Sequence, residues 1–350
     1  MVPVQHLGCR AGCPDRRTFL GGLAAAAAGV LVSGREAEAA APPQRIDVHH
    51  HLSPPTYLTE LRSTLSRATL EWTPAKALED MDRAGVTTAL TSITTPGLWH
   101  GNDAAARRLA RESNEYAARL AADHPGRFGL FVALSMPDLE GSLREVEYGL
   151  DTLKADGVGL ITSYGDKWLG DPAWGPLYEE LNRRKALVYT HPTAANCCRN
   201  LIPDVSDASI EYGTDTTRAI ARWVFGGAAA RYPDVRLIFS HAGGTMPFLS
   251  ERFINLAKTP AMAPQFPQGF LPVAQKFYYD TAQSSNPPAM AALRKVIPLS
   301  QIVFGTDYPF RTASEHVQGL KECGVFNGKE LRAIDSENAL RLLPRFRTAK

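Results

Sequence analysis

From residue 45 onward, short runs of β-branched and aromatic residues alternate with longer amphipathic stretches, the pattern of repeated strand–helix units. Eight strands are expected, at 45–52, 87–93, 127–134, 157–162, 187–191, 236–241, 277–281 and 302–306. Helical periodicity follows each of them, at 74–84, 102–123, 139–155, 176–184, 215–232, 247–257, 288–296 and 315–323. Eight strands each trailed by a helix predict a closed (β/α)8 TIM barrel. An open doubly wound sheet needs fewer strands and often opens on a glycine-rich phosphate turn, whereas here Val48 is followed by His49-His50-His51. Two loops are long, 53–73 after the first strand and 192–213 after the fifth. In a barrel both lie on the C-terminal rim, where active sites are built.

The segment ahead of this pattern reads as targeting and not as fold. Arg16-Arg17-Thr18-Phe19-Leu20 precedes an apolar stretch at 21–32 and small residues up to Ala41, which resembles a twin-arginine export signal. An apolar run of about 12 residues is too short to cross about 30 Å of hydrocarbon, so no stable membrane anchor is expected. Cleavage after Ala37-Glu38-Ala39 would remove residues 1–39 and leave 40–350 as a single barrel domain in the periplasm; cytoplasmic residence is the alternative. With 38 Lys and Arg against 36 Asp and Glu, and no basic block, nucleic-acid binding lacks electrostatic support. Beyond the signal the cysteines are Cys197, Cys198 and Cys323. They form no disulfide framework, and the neighbours Cys197 and Cys198 are expected as separate thiols.

The chemistry concentrates at strand ends. His49 and His51 are two apart on the first strand, so both project to one side, the lumen, while His50 points outward. His191 closes the fifth strand, His241 the sixth, and Asp307 follows the eighth. Five such residues on four strand ends of one rim point to a shared metal site. Imidazoles with a carboxylate and no thiolate suit zinc or manganese, zinc foremost. The fourth strand ends Thr162-Ser163-Tyr164 and offers no lysine to bridge a second ion, so one divalent ion is expected.

The pieces Ile46-Asp47-Val48-His49-His50-His51, Tyr189-Thr190-His191-Pro192, Ser240-His241-Ala242-Gly243-Gly244 and Phe304-Gly305-Thr306-Asp307-Tyr308-Pro309 resemble the amidohydrolase-related metal-dependent decarboxylases. The branch is that of aminocarboxymuconate-semialdehyde decarboxylase, and Phe277-Tyr278-Tyr279-Asp280-Thr281-Ala282 is similar to the 6-methylsalicylate decarboxylases within it. The resemblance implies His49, His51, His191 and Asp307 as ligands of one ion, and His241 as acid/base with Asp307 able to share the proton. It also implies an arginine that holds the substrate carboxylate; Arg62, Arg67, Arg199 and Arg311 all lie in rim loops and are the candidates. The activity so implied is non-oxidative decarboxylation of a small, hydroxylated aromatic acid such as a salicylate. Hydrolysis of a lactone or amide is the enzymatic alternative, and a non-catalytic metal or ligand carrier the third. The expected partners are the small carboxylic acid and a second copy of the chain, as a homodimer.

Overall fold

The computed structural model describes residues 44–347. The export-signal reading of residues 1–39 falls outside them. Eight strands form one sheet: β1 (Ile46–His51), β2 (Thr88–Ser92), β3 (Phe128–Ala133), β4 (Gly157–Ile161), β5 (Leu187–His191), β6 (Arg236–Phe239), β7 (Tyr278–Asp280) and β8 (Ile302–Val303). Their order in the sheet is their order in the chain, and every neighbouring pair is parallel. The last strand returns to the first through Val48 N–H to Phe304 O at 3.0 Å and His51 N–H to Tyr308 O at 2.9 Å. The sheet is thus the expected (β/α)8 barrel.

A helix of nine residues or more follows each strand, besides shorter helical turns such as Pro55–Glu60 and Arg67–Leu70: α1 (Pro74–Ala84), α2 (Asp103–Asp123), α3 (Leu139–Glu147), α4 (Gly175–Arg183), α5 (Asp207–Phe225), α6 (Met246–Ala257), α7 (Pro287–Val296) and α8 (Ala313–Glu322). Their starts are written in the sequence. Thr73, Asn102, Asp138, Ser206, Asn286 and Thr312 each accept a first-turn backbone N–H, and Thr312 with Glu315 completes a capping box. The fifth helix differs from expectation: it starts at Asp207, not 215, so the loop after β5 is shorter than predicted. It stops at Phe225, and a separate turn, Ala228–Arg231, follows Gly226 and Gly227. Likewise α3 ends at Glu147 and passes into a wider π turn, Tyr148–Thr152.

Two apolar layers hold the barrel. Ile46, Val48, Leu90, Phe131, Leu187, Tyr189, Ile238 and Val303 meet inside it, joined by Leu342, Leu343 and Phe346 from the C-terminal segment. Residues of the opposite parity, such as Ala89, Val132, Val188, Phe239 and Phe304, pack outward against the helices.

Strict alternation along β1 cannot put both Val48 and His49 inside. The pairing with β2 resolves this: Asp47 lies opposite Ala89 but His50 opposite Thr91, so β1 carries one extra residue between them. This bulge flips the parity, and His49 and His51 join Ile46 and Val48 on the inner face. His50 points outward as predicted, stacked on Tyr308 at 4.8 Å with Nδ1 donating to Asp47.

Candidate functional site

All five strand-end residues converge. One nitrogen or oxygen from each of His49, His191, His241 and Asp307 lies within 4.8 Å of the others. His51 Nε2 is 3.2 Å from His49 Nε2 and 2.9 Å from Asp307 Oδ1. His49 and His51 form the buried floor, and His191, His241 and Asp307 line a cavity of about 790 Å³ above it.

Three of the imidazoles are anchored from behind. His49 Nδ1 donates to Asp280 Oδ2 at 2.9 Å, His51 Nδ1 to the Ser92 carbonyl at 3.4 Å beside the Ser92 hydroxyl, and His191 Nδ1 to the Pro192 carbonyl at 2.8 Å. Each anchor places the proton on Nδ1 and turns the Nε2 lone pair to the centre, the arrangement of metal-ligating histidines. Two bare lone pairs 3.2 Å apart, on His49 and His51, repel unless a cation lies between or beside them. The donor set therefore fits a divalent ion. His241 has no such anchor on Nδ1 among the described residues; its Nε2 is 3.3 Å from Asp307 Oδ2 and its backbone N–H donates to Asp280 Oδ1.

The electrostatics agree. Burial alone would push His49 down, but the Asp280 and Asp307 carboxylates outweigh it and raise its pKa to about 10. Without an ion, a proton on His49 supplies the positive charge that the two carboxylates demand. Burial lowers His51 and pushes His191 down to about 3, so both stay neutral and free to ligate. Burial would raise Asp307, yet the charge on His49 and the surrounding imidazoles prevail and hold it well below the usual carboxylate range.

Two buried aspartates shape the ring from outside. Asp47 accepts from His49 N–H, His50 Nδ1, Thr306 N–H and Thr306 Oγ1, tying β1 to the turn that presents Asp307. Asp280 orients His49 and also receives the backbone of His241 and Ala282. The sequence places Asp280 at the end of β7 without showing that it orients His49, and it gives no sign of Gln283, whose amide nitrogen donates to Asp307 Oδ2 at 2.9 Å. His241 and Asp307 both adopt left-handed backbone, φ 53° and 63°. Such conformations gather where a site over-determines them. Gly244 packs tightly behind His241: a Cβ there would overlap the Gly213 carbonyl of α5.

None of the four rim arginines lines this cavity. Arg67 pairs with Glu71 in solvent, Arg311 lies 3.7 Å from Glu315, and Arg62 is exposed. Arg199 donates to the Ala194 carbonyl and lines a second cavity of about 940 Å³ beside Trp99, Tyr164 and Trp174. That larger cavity does not contain the histidine cluster. The cluster's own cavity is walled by neutral donors, among them Thr94, Thr95, Ser206, Ser209, Tyr212 and Gln283, with no lysine or arginine. The same loop corrects the reading of the cysteines: Cys197 and Cys198 are joined to each other within the short turn Asn196–Cys198, which curls the chain tightly enough for adjacent sulfurs to meet. Cys323 is free and buried.

Residues 46–345 match the amidohydrolase family. The chain belongs to that family. Decarboxylase yanB of Aspergillus niger is 37% identical over 324 residues, covering 86% of this chain and 88% of that protein. The 6-methylsalicylic acid decarboxylase of Penicillium expansum is 35% identical over 321 residues, 87% of this chain and 97% of that one. A dihydroxybenzoic acid decarboxylase from a Polaromonas species, crystallised with manganese and 2-nitroresorcinol, shares the fold at TM-score 0.72 and 20% identity, over 87% of this chain and 98% of its own. Among the described residues no helix is long and apolar enough to cross a membrane.

Proposed function

We propose that this amidohydrolase-family chain is a metal-dependent, non-oxidative decarboxylase of a small hydroxylated aromatic acid, with a 2-hydroxybenzoate such as 6-methylsalicylate as substrate. His49, His51, His191 and Asp307 hold one divalent ion, zinc foremost and manganese the alternative, and His241 moves the proton. The observation that carries this division is the Nδ1 anchoring: three imidazoles are fixed as ligands are, while His241 is unanchored beside Asp307 at the cavity wall. When bound, the ion supplies a positive charge to the carboxylate and the neighbouring hydroxyl oxygen. Among the described residues no lysine or arginine lines the cavity, and its walls away from the cluster carry hydroxyls, the Gln283 amide and Phe310, which suits a substrate with a single negative charge.

His241 delivers its Nε2 proton to the ring carbon that bears the carboxylate, which interrupts aromaticity. The bond to the carboxylate carbon then breaks, its electron pair returns to the ring, aromaticity is restored and CO₂ leaves. Asp307, ionised and 3.3 Å away, steadies the imidazolium before transfer. No oxidant or reductant is consumed.

The test is product analysis with purified, metal-containing protein and 6-methylsalicylate. One CO₂ and one 3-methylphenol per substrate, with deuterium at the vacated position in D₂O, is the expected result. A product that has gained water indicates the lactone or amide hydrolase, and no turnover of any hydroxybenzoate leaves the carrier. Export of residues 40–350 by the twin-arginine route and assembly as a homodimer complete the proposal. Arg16→Lys with Arg17→Lys should trap the precursor in the cytoplasm, and sedimentation should read a two-chain mass.

A further inference from the structure

The two oxygens of Asp307 have different surroundings. Oδ1 faces the histidine ring, 2.9 Å from His51 Nε2, 3.1 Å from His49 Nε2 and 3.7 Å from His191 Nε2. Oδ2 faces away from it, 3.3 Å from His241 Nε2 and 2.9 Å from the side-chain amide nitrogen of Gln283. An ionised carboxylate only accepts, so the NH₂ end of the amide is the end that belongs there. Gln283 reaches this position from a turn with φ 54°, an uncommon conformation for a residue with a full side chain. The turn is seated by Ala282 N–H on Asp280 Oδ1 and by Ser284 N–H on the Thr281 carbonyl. The aspartate that orients His49 thus also aims Gln283 at Asp307.

We infer that Gln283 is a positioning residue: its amide holds Oδ2 of Asp307 out of the histidine ring, so that Asp307 offers the ion one oxygen and leaves a coordination position for the substrate. Carboxylates bind divalent ions through one oxygen or two, and a charge-assisted hydrogen bond to the second oxygen favours the first mode. The free position matters more here than in a cavity with a cationic side chain. Among the described residues no lysine or arginine lines this one, so the substrate carboxylate has no guanidinium or ammonium there to hold it. The inference rests on the metal-site reading above, and its readout does not require turnover.

The variant is Gln283→Met, which keeps the length and removes the donor. Wild type and variant are loaded with Co²⁺ in place of the native ion, and their visible absorption is compared. Release of Oδ2 raises the coordination number, so the variant bands should weaken and shift. In the native-metal proteins kcat/KM should fall by about 10–100-fold, with the larger part in KM. Superimposable Co²⁺ spectra overturn the inference, as does a fall confined to kcat. Should Gln283→Met fail to fold, Gln283→Ala removes the same donor and is read in the same way. A wild-type chain that takes up no Co²⁺ overturns the metal site and this inference together. One that binds Co²⁺ but decarboxylates nothing overturns only the proposed activity, and the spectral comparison still decides the role of Gln283.

Discussion

Asp280→Asn is the smallest change that tests how the site is held, because it alters one atom in a side chain that is fully buried. Asp280 Oδ1 accepts two backbone donors, His241 N–H at 2.9 Å and Ala282 N–H at 3.0 Å, while Oδ2 accepts from His49 Nδ1 at 2.9 Å. Asparagine keeps one oxygen, and the two backbone donors claim it because neither can turn away. Its NH₂ then faces His49 Nδ1–H, donor against donor. The imidazole relieves the conflict by moving its proton to Nε2, the atom that points at Asp307 Oδ1 and His51. A hydrogen then stays in the direction the ion needs, and ligation can displace it only by restoring the donor–donor conflict at Nδ1. Loss of an outer-shell partner of a metal-bound histidine costs about 10–100-fold in affinity, or about 1.4–2.7 kcal/mol at 1.36 kcal/mol per decade. The upper end is expected, since no water can reach the pair to soften the conflict. The assay is competition with a chromophoric chelator, with far-UV circular dichroism as the control for folding. Wild-type affinity in a folded Asp280→Asn chain would refute the tautomer argument.

His241→Ala should keep one ion per chain and lose about 10²–10⁴-fold in kcat, the contribution of a positioned acid; elemental analysis showing the ion gone would make His241 a ligand. Because the carboxylates raise His49 to about 10, the metal-free ring is protonated at neutral pH and must shed that proton to ligate. Ion uptake near pH 7 should therefore release about one proton, and apparent affinity should rise about tenfold per pH unit up to about pH 10; release is read with an indicator in weak buffer, and pH-independent affinity would contradict it. Gly305→Ala should destabilise the fold by about 1–3 kcal/mol in urea titrations and weaken ion binding as well. Its new Cβ would lie 2.9 Å from His49 Cβ and 3.0 Å from Asp280 Cβ, so wild-type metal affinity would show that the segment after β8 yields without disturbing them.

The strands were legible because each is a short apolar run bounded by polar turns, and the five cluster residues because each ends such a run. What misled the reading has local causes. Asp215 looks like a helix start, but its carboxylate is spent on Thr162, Ser163 and Trp168, pinning the short hairpin that follows β4 (Ser163–Tyr164 paired with Lys167–Trp168) to α5. The true start is Ser206, whose hydroxyl caps Ala208 N–H. The inward aim of His49 and His51 was read from alternation alone, yet it depends on a bulge that one-residue periodicity cannot reveal. The sequence could not single out one of the four rim arginines, because a loop residue's number says nothing about where its side chain ends. Arg67 and Arg311 find acids four residues on instead.

Asp280 and His49 show why the deeper layer of the site escapes a linear reading. They belong to β7 and β1, which are not neighbours; β8 runs between them. A carboxylate on one can reach an imidazole on the other only if the intervening strand has no side chain at that level, and the residue there is Gly305. Three features must therefore coincide: an acid at the end of β7, a glycine where the chain leaves β8, and the bulge that turns His49 inward. Each alone has an ordinary structural explanation, as a strand-end polar residue, a small barrel position or an irregular pairing. Together they fix the tautomer of one imidazole in a ring with two carboxylates and no arginine. That ring has the donors and the negative charge to hold a divalent cation.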